Sequence, residues 1–235
     1  MPPDLPSARP GERRRAELVR IAIDVFGDAG FAGGRIDEIA RRAGIRRPSV
    51  LYHFPDKASL YSASITSVVR DITRRVLATE EAPTERLEAI ADVWVDFVID
   101  RPSAARLLLR QMIDAEPVTD AESDTHLRAL LASIQAAIDD HADPSAPKTI
   151  DASEFSLILS STSLVWVATH SAVEGTLGLD TLAPHFVQRH RRMLCALTRQ
   201  LVVATSEATE PDPPKARPFS GETPVQRSRS FQRPR

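Results

Sequence analysis

The sequence predicts an all-α protein: a small helix-turn-helix head of three helices near the N-terminus and a larger helical body behind it. Three observations carry this. Apolar residues recur at steps of three and four from residue 13 to residue 205, the period of a helix with one buried face, and almost nothing shows the alternation of a half-buried strand. Prolines interrupt that periodicity at Pro55, Pro83, Pro102, Pro117, Pro144, Pro147 and Pro184, as expected of a residue that breaks a helix interior but fits its first turn. Two short helical segments joined by Ala43, Gly44 and Ile45 lie between longer amphipathic ones, which is the layout of a helix-turn-helix.

The first helix is expected over 13–29, where Leu18, Ile21, Ala22, Val25, Phe26 and Ala29 line one face. Gly30 ends it, and 31–34 form a turn. Ile36, Ile39, Ala40 and Ala43 mark a short second helix, followed by a tight turn at Gly44. Pro48 suits the first turn of a third, whose inward face is Val50, Leu51 and Phe54. Pro55 stops it, and Asp56 is an N-cap for a fourth helix over 57–79. Five more helices follow at about 84–100, 102–115, 120–142, 151–176 and 183–205, nine in all. Pro102 and Pro184 are either boundaries or first-turn prolines.

The last two helices are the longest and most apolar. Phe155, Ile158, Leu159, Thr162, Val165, Trp166, Thr169 and Val173 stripe one, and Leu182, Phe186, Met193, Leu197 and Leu201 the other. Such wide stripes exceed what one face needs, and pairing with the same helices of a second chain would bury the excess, giving a homodimer. The domain division is therefore 1–10, a disordered arm; 11–56, the helix-turn-helix; 57–205, the ligand-binding and dimerisation body; and 206–235, a disordered basic tail rich in Pro, Ser and Arg.

Charge is uneven. Residues 1–60 hold eleven Lys/Arg against eight Asp/Glu, residues 61–205 thirteen against twenty, and residues 206–235 six against four. A basic end on an acidic body fits a nucleic-acid contact confined to that end. Cys195 is the sole cysteine, which excludes an intramolecular disulfide and suits a reducing cytoplasm. No apolar run approaches the roughly 18 residues of a membrane span, and Met1 to Pro10 lacks the apolar core of a secretory signal. No phosphate loop, zinc-protease helix, nucleophile elbow or dinucleotide fingerprint is present, so no enzyme activity, cofactor or metal is expected. His185 and His190 are five apart, not the three or four of a helical metal pair.

The informative stretch is 35–57. Its first helix buries Ile36, Ile39 and Ala40; Ala43 and Gly44 are small to let the helices approach; and Ile45 plugs the core between them. The second helix then presents Arg46, Arg47, Ser49, Tyr52 and His53, a polar face able to enter the major groove, where Arg can pair two acceptors of guanine. Arg41 and Arg42 read more simply as solvated cations, and Tyr52 as partly core-packed.

Here the chain resembles the TetR (tetracycline-repressor) family of transcription regulators. The matching residues are GF at 30–31, IDEIARRAGI at 36–45, SVLYHF at 49–54 and DKASL at 56–60. The resemblance implies that Arg35 opens the first helix of the pair beside a phosphate and that Arg47, Ser49 and Leu51 lie in the recognition helix. It also implies that Tyr52 and His53 approach the DNA backbone, and that Lys57 meets a phosphate at the start of the fourth helix. It implies a palindromic double-stranded operator, repression relieved by a small-molecule effector, and a fourth helix that relays effector binding to the head. Three departures stand out: Gly34 and Arg35 replace a Thr/Ser pair and leave Gly34 as a modest N-cap, Arg46 replaces a capping Ser, and Pro48 and Leu51 replace Gly and Tyr.

Trp94, Phe97, Gln111, Met112, Trp166, Thr169 and His170 are a candidate apolar pocket with a few polar groups, each of them otherwise a core residue. The rival reading is a helical ligand-binding or interaction protein that has lost specific DNA binding.

Overall fold

The computed structural model describes residues 9–79, 83–113, 120–141 and 150–203. Of the arm expected over 1–10, residues 1–8 lie outside them, as does the tail over 206–235; Arg9 and Pro10 instead cap and open the first helix. Among the described residues there are ten helices and no strand: α1 (Pro10–Gly33), α2 (Ile36–Arg42), α3 (Arg47–His53), α4 (Lys57–Leu77), α5 (Pro83–Asp100), α6 (Pro102–Ile113), α7 (Ala121–His141), α8 (Ala152–Ala168), α9 (His170–Leu177) and α10 (Pro184–Val203). Pro102 and Pro184 open α6 and α10, so both are first-turn prolines.

Two boundaries differ from the sequence reading. Gly30 does break α1, with φ +69°, but the chain resumes helical geometry for one further turn to Gly33. The single helix expected over 151–176 is two, α8 and α9, bent by 51° at Thr169. At the bend Thr169 departs from ideal helical geometry, with φ −91° and ψ −3°, and its hydroxyl donates to the Val165 carbonyl at 2.8 Å. Gly178, with φ +66°, then caps α9 in the left-handed conformation. No single helix is long and apolar enough to cross a membrane among the described residues.

The core explains why head and body hold together. One cluster of buried residues runs from Leu18, Ala22 and Phe26 of α1 through Ile39, Val50 and Phe54 of the helix-turn-helix. It continues without a gap into Ile65 and Ile72 of α4, Ile90 of α5, Ile134 of α7 and Phe155 of α8. Tyr61 of α4 is buried in the head, with its ring edge-on to both Phe26 and Phe31 at 5.1 Å. The first two turns of α4 therefore belong to the head, and the rest of it to the body.

A second seam joins the two parts. α1 lies so close to α6 that a β-carbon at Gly27 would stand 2.4 Å from the Ser103 carbonyl oxygen. Arg110 of α6 donates to the carbonyls of Gly27 (3.1 Å) and Asp28 (2.9 Å), which lie in the turn that the Gly30 break interrupts. Arg106 pairs with the Asp28 carboxylate at 2.7 Å. Within the body, Asp120 accepts from the hydroxyls of Ser62 (2.7 Å) and Thr66 (3.0 Å) and from the Ser123 amide (2.8 Å), tying α4 to the start of α7. Burial pushes the Asp120 carboxyl upward, but these donors together outweigh it and hold its pKa below the ordinary value. α10 packs on α5 through Arg191, paired with Asp92 and Asp96, and Arg199, paired with Glu88.

Candidate nucleic-acid interface

The head is assembled from the residues the spacing singled out. α2 buries Ile36, Ile39 and Ala40, and α3 buries Val50, with Phe54 closing the pair from below. Between them the Ile45 amide donates to the Ala40 carbonyl at 3.0 Å, and Ile45 packs half-buried on the core. Gly44 is required by its φ of +65°, not by crowding: a β-carbon there would meet nothing within 4 Å. The expected close approach at this turn is thus corrected to a backbone requirement.

Close approach occurs instead at Gly34. A β-carbon there would lie 2.3 Å from Cδ1 of Phe26, the ring at the centre of the head. Gly34 is not the N-cap of α2; Arg35 is, with extended backbone and no side-chain cap. Arg46 caps α3 in the same way, also without a side-chain bond. Asp56 does cap α4, accepting from the Ser59 amide at 2.7 Å, as its place in the sequence predicts.

α3 turns Arg46, Arg47, Ser49 and Tyr52 to solvent. Tyr52 is 87% exposed, which removes core packing as the reason for an aromatic there. Its ring stands edge-on to half-buried His53 at 5.3 Å. Leu51 leans inward, half-buried against the core. Lys57 is committed at its tip: Nζ donates to the Phe31 carbonyl at 2.8 Å and sits 4.5 Å from the Phe31 ring centroid. It closes the end of α1 while remaining partly open to solvent.

The arginines of α2, α3 and their N-caps fall into three groups. Arg35 and Arg46 have no side-chain partner among the described residues. Arg41 and Arg42 both bond Glu38, each at 2.7 Å, and the two guanidiniums, Arg41 first, hold that exposed carboxyl down at about 2. The i,i+3 and i,i+4 spacing of these pairs was readable in the sequence. Arg47 pairs across the two helices with Asp37 of α2 at 3.1 Å. That contact depends on the crossing of α2 and α3, and no local spacing reveals it.

The seven candidate pocket residues do not converge. A cavity of about 50 Å³ lies between α4, α5, α7 and α8, walled by Ile72, Val76, Ile90, Trp94, Leu130 and Phe155 among others, and of the seven only Trp94 lines it. The Trp94 indole N–H is buried without an acceptor. Phe97 is fully buried core, stacked on Trp94. Gln111 holds both amide atoms buried and unbonded elsewhere on α6. Met112 is 48% exposed, because the helix turns it to the surface one residue beyond Gln111. Trp166 stacks on His190 of α10 at 4.2 Å. Thr169 is exposed at the bend, which carries His170 out to bond Thr181 at 3.0 Å. Sequence reasoning missed Ile72, Val76 and Phe155 as cavity walls, since a lining residue and a core residue share one apolar pattern.

Comparison with known proteins agrees with the head. Residues 18–63 match the family model described as bacterial regulatory proteins, tetR family. The chain is 32% identical over 116 residues to the transcriptional activator FasR of Mycolicibacterium smegmatis, covering 48% of this chain and 53% of that protein. It is 30% identical over 129 residues to the transcriptional regulator RutR of Escherichia coli, covering 52% and 61%. The chain thus spans between half and two thirds of the length of these curated relatives. Among solved structures it is similar to a transcriptional regulator from Streptomyces coelicolor (20% identity, TM-score 0.58, 80% of this chain and 97% of that one). It is also similar to FadR of Bacillus subtilis, solved in complex with stearoyl-CoA (13% identity, TM-score 0.59, 77% and 97%). At these identities the structural likeness speaks for the fold.

Proposed function

We propose that the chain, whose residues 18–63 match the family model of bacterial regulatory proteins, tetR family, is a sequence-specific DNA-binding transcription regulator whose occupancy of DNA is controlled by a small effector. The carrying observation is the outer face of α3. Arg46, Arg47, Ser49 and Tyr52 stand exposed on a helix whose opposite side is locked into the head core. An α-helix fits the major groove, and these side chains supply donors for base edges and phosphates. Arg35, His53 and Lys57 flank that face and add backbone contacts, while Leu51 supports it from within.

The functional unit is a homodimer. Leu157 and Val165 of α8 and Met193 of α10 are exposed apolar side chains on the two helices with the widest stripes. A two-fold pairing there would bury them and set two heads against the half-sites of a palindromic operator. The effector enters the body cavity, whose wall is apolar except for Ser156 and Ser160. That favours a small, uncharged, largely apolar molecule, because about 50 Å³ is well short of the roughly 300–1,000 Å³ of a pocket for a larger ligand, which would enter only by pushing the surrounding helices apart. The cavity touches α4 at Ile72 and Val76, so a ligand that widens it moves the helix rooted in the head. Such a ligand shifts the equilibrium only by its preference for the released form. Repression follows where the operator overlaps a promoter. The protein acts where the DNA is, in the cytoplasm.

The test is selection of preferred duplexes from a random pool, then anisotropy titration of the selected duplex and a scrambled one at matched salt. Specific binding should exceed non-specific by about 10³-fold or more. Equal binding to both would leave the rival reading, a helical ligand-binding protein without specific DNA recognition, in possession of the fold.

A further inference from the structure

The Asp37–Arg47 pair is the one ion pair of the head that bridges its two short helices among the described residues. Arg47 opens α3, and Asp37 sits in the first turn of α2. Their side chains are 55% and 64% exposed, so the pair stands on the outer surface that faces a duplex in the proposed function, not in the core. Glu38, the neighbouring carboxylate, is occupied by Arg41 and Arg42 and faces along its own helix. Arg46, one residue before Arg47, has no acidic partner among the described residues. Of two adjacent arginines, then, one is held by a carboxylate and the other has no acidic partner among the described residues.

We infer that Asp37 is a positioning residue for sequence recognition: it orients the Arg47 guanidinium toward a base edge and withholds it from phosphates. This rests on the DNA-binding reading above. A guanidinium carries five N–H donors in a rigid plane. Binding Nη1 to Asp37 fixes that plane and leaves the remaining donors for the two acceptors of a guanine edge. A free arginine side chain would lose rotamer freedom on docking, whereas a held one has already lost part of it. The same carboxylate places a negative charge beside Arg47, which weakens attraction to any phosphate backbone, and that attraction supplies essentially all of non-specific binding. Asp37 therefore raises the ratio of specific to non-specific affinity in two ways, by orienting the base contact and by disfavouring its alternative. Arg35 and Arg46, unheld, serve the backbone.

The experiment uses the full-length protein, the duplex selected by the wild type, and a scrambled duplex, with Asp37→Asn, Asp37→Glu, Arg47→Ala and the Asp37→Asn/Arg47→Ala double variant. Thermal melts first confirm that each variant folds. Asp37→Asn is expected to tighten scrambled-duplex binding and to lower the specificity ratio by about fivefold, the low end of what one bidentate base contact contributes. Its salt slope on scrambled duplex should steepen by about 0.9, the signature of one added phosphate contact. Asp37→Glu, which keeps the charge and can still reach Arg47, should restore most of the ratio. In the Arg47→Ala background, Asp37→Asn should leave the ratio unchanged. A purely structural role would weaken both duplexes together and leave the slope alone, which would overturn the inference. An equal effect with and without Arg47 would reduce Asp37 to general repulsion and overturn it too. Should the wild type itself prefer no duplex, the DNA-binding reading falls first and takes this inference with it.

Discussion

Gly27 lies within α1, where a glycine ordinarily weakens a helix, so Gly27→Ala sets local propensity against tertiary contact. In an isolated helix the change stabilises by about 0.8–1.0 kcal/mol. In the folded chain the new β-carbon would stand 2.4 Å from the Ser103 carbonyl oxygen, 3.1 Å from its carbon and 3.3 Å from its Cα. All three are backbone atoms of α6, so no rotamer change relieves the overlap. Ordinary non-bonded contact begins near 3.5 Å, so α1 and α6 must part by about 1 Å. Overpacking costs about 1–3 kcal/mol, and the upper end applies where backbone is the obstacle. The Arg106–Asp28 pair and the Arg110 bonds across the same seam would stretch with it. The net expectation is a loss of about 2 kcal/mol, hence a Tm lower by about 4–8 °C in a chain of this size. Urea unfolding and thermal melts of the wild type and variant measure it. Gly175→Ala in α9, where a β-carbon meets nothing within 4 Å, is the control and should not destabilise. A Tm for Gly27→Ala equal to or above that of the wild type would refute the close seam between head and body.

Gly44→Ala should cost about 1–2 kcal/mol although it clashes with nothing, because an L-residue is strained at φ +65°, and Gly44→Asn should recover part of the loss in the same unfolding assay. Lys57→Ala should destabilise by about 1.5–3 kcal/mol through the lost charged bond to the Phe31 carbonyl, and should flatten the salt slope of DNA binding by about 0.9. A lower Tm with an unaltered slope would assign Lys57 to head packing alone. His190, half-buried under Trp166, is held below its ordinary pKa of 6.5 by burial. The unfolded chain therefore takes up that proton first, and stability should be full above pH 6.5 and decline as pH falls below it. His190→Gln should remove this part of the acid slope, as Tm measured between pH 7.5 and 5.5 would show.

Much of the head was legible because its signals are local. The turn at Gly44, the cap at Asp56, the stop at Pro55 and the buried Ile36, Ile39 and Val50 each follow from one residue's backbone preference or from a period of three to four. The proposed reading face on α3 is what that period leaves over. In the body the same rules located the helices, but they ran through the bend at Thr169, since the apolar pattern continues on both sides of it and a bend leaves no mark on hydropathy. They also grouped seven residues that the structure does not bring together. Phe97, Met112 and Trp166 carry the apolar or aromatic character of a lining, yet one is core, one is surface and one stacks on α10.

Composition and periodicity alone determined that this chain is helical, where most of its helices begin and end, and which end is basic and carries the helix-turn-helix pattern, because those properties depend on residues close together in the chain. Only the tertiary structure decided that Gly27 and Gly34 are places of near contact, that Tyr61 of α4 is buried in the head, and that Arg47 is held by Asp37. Each of these depends on the angle and distance at which one helix crosses another. Many side chains far apart in the sequence set that crossing together, and no window of neighbouring residues contains it.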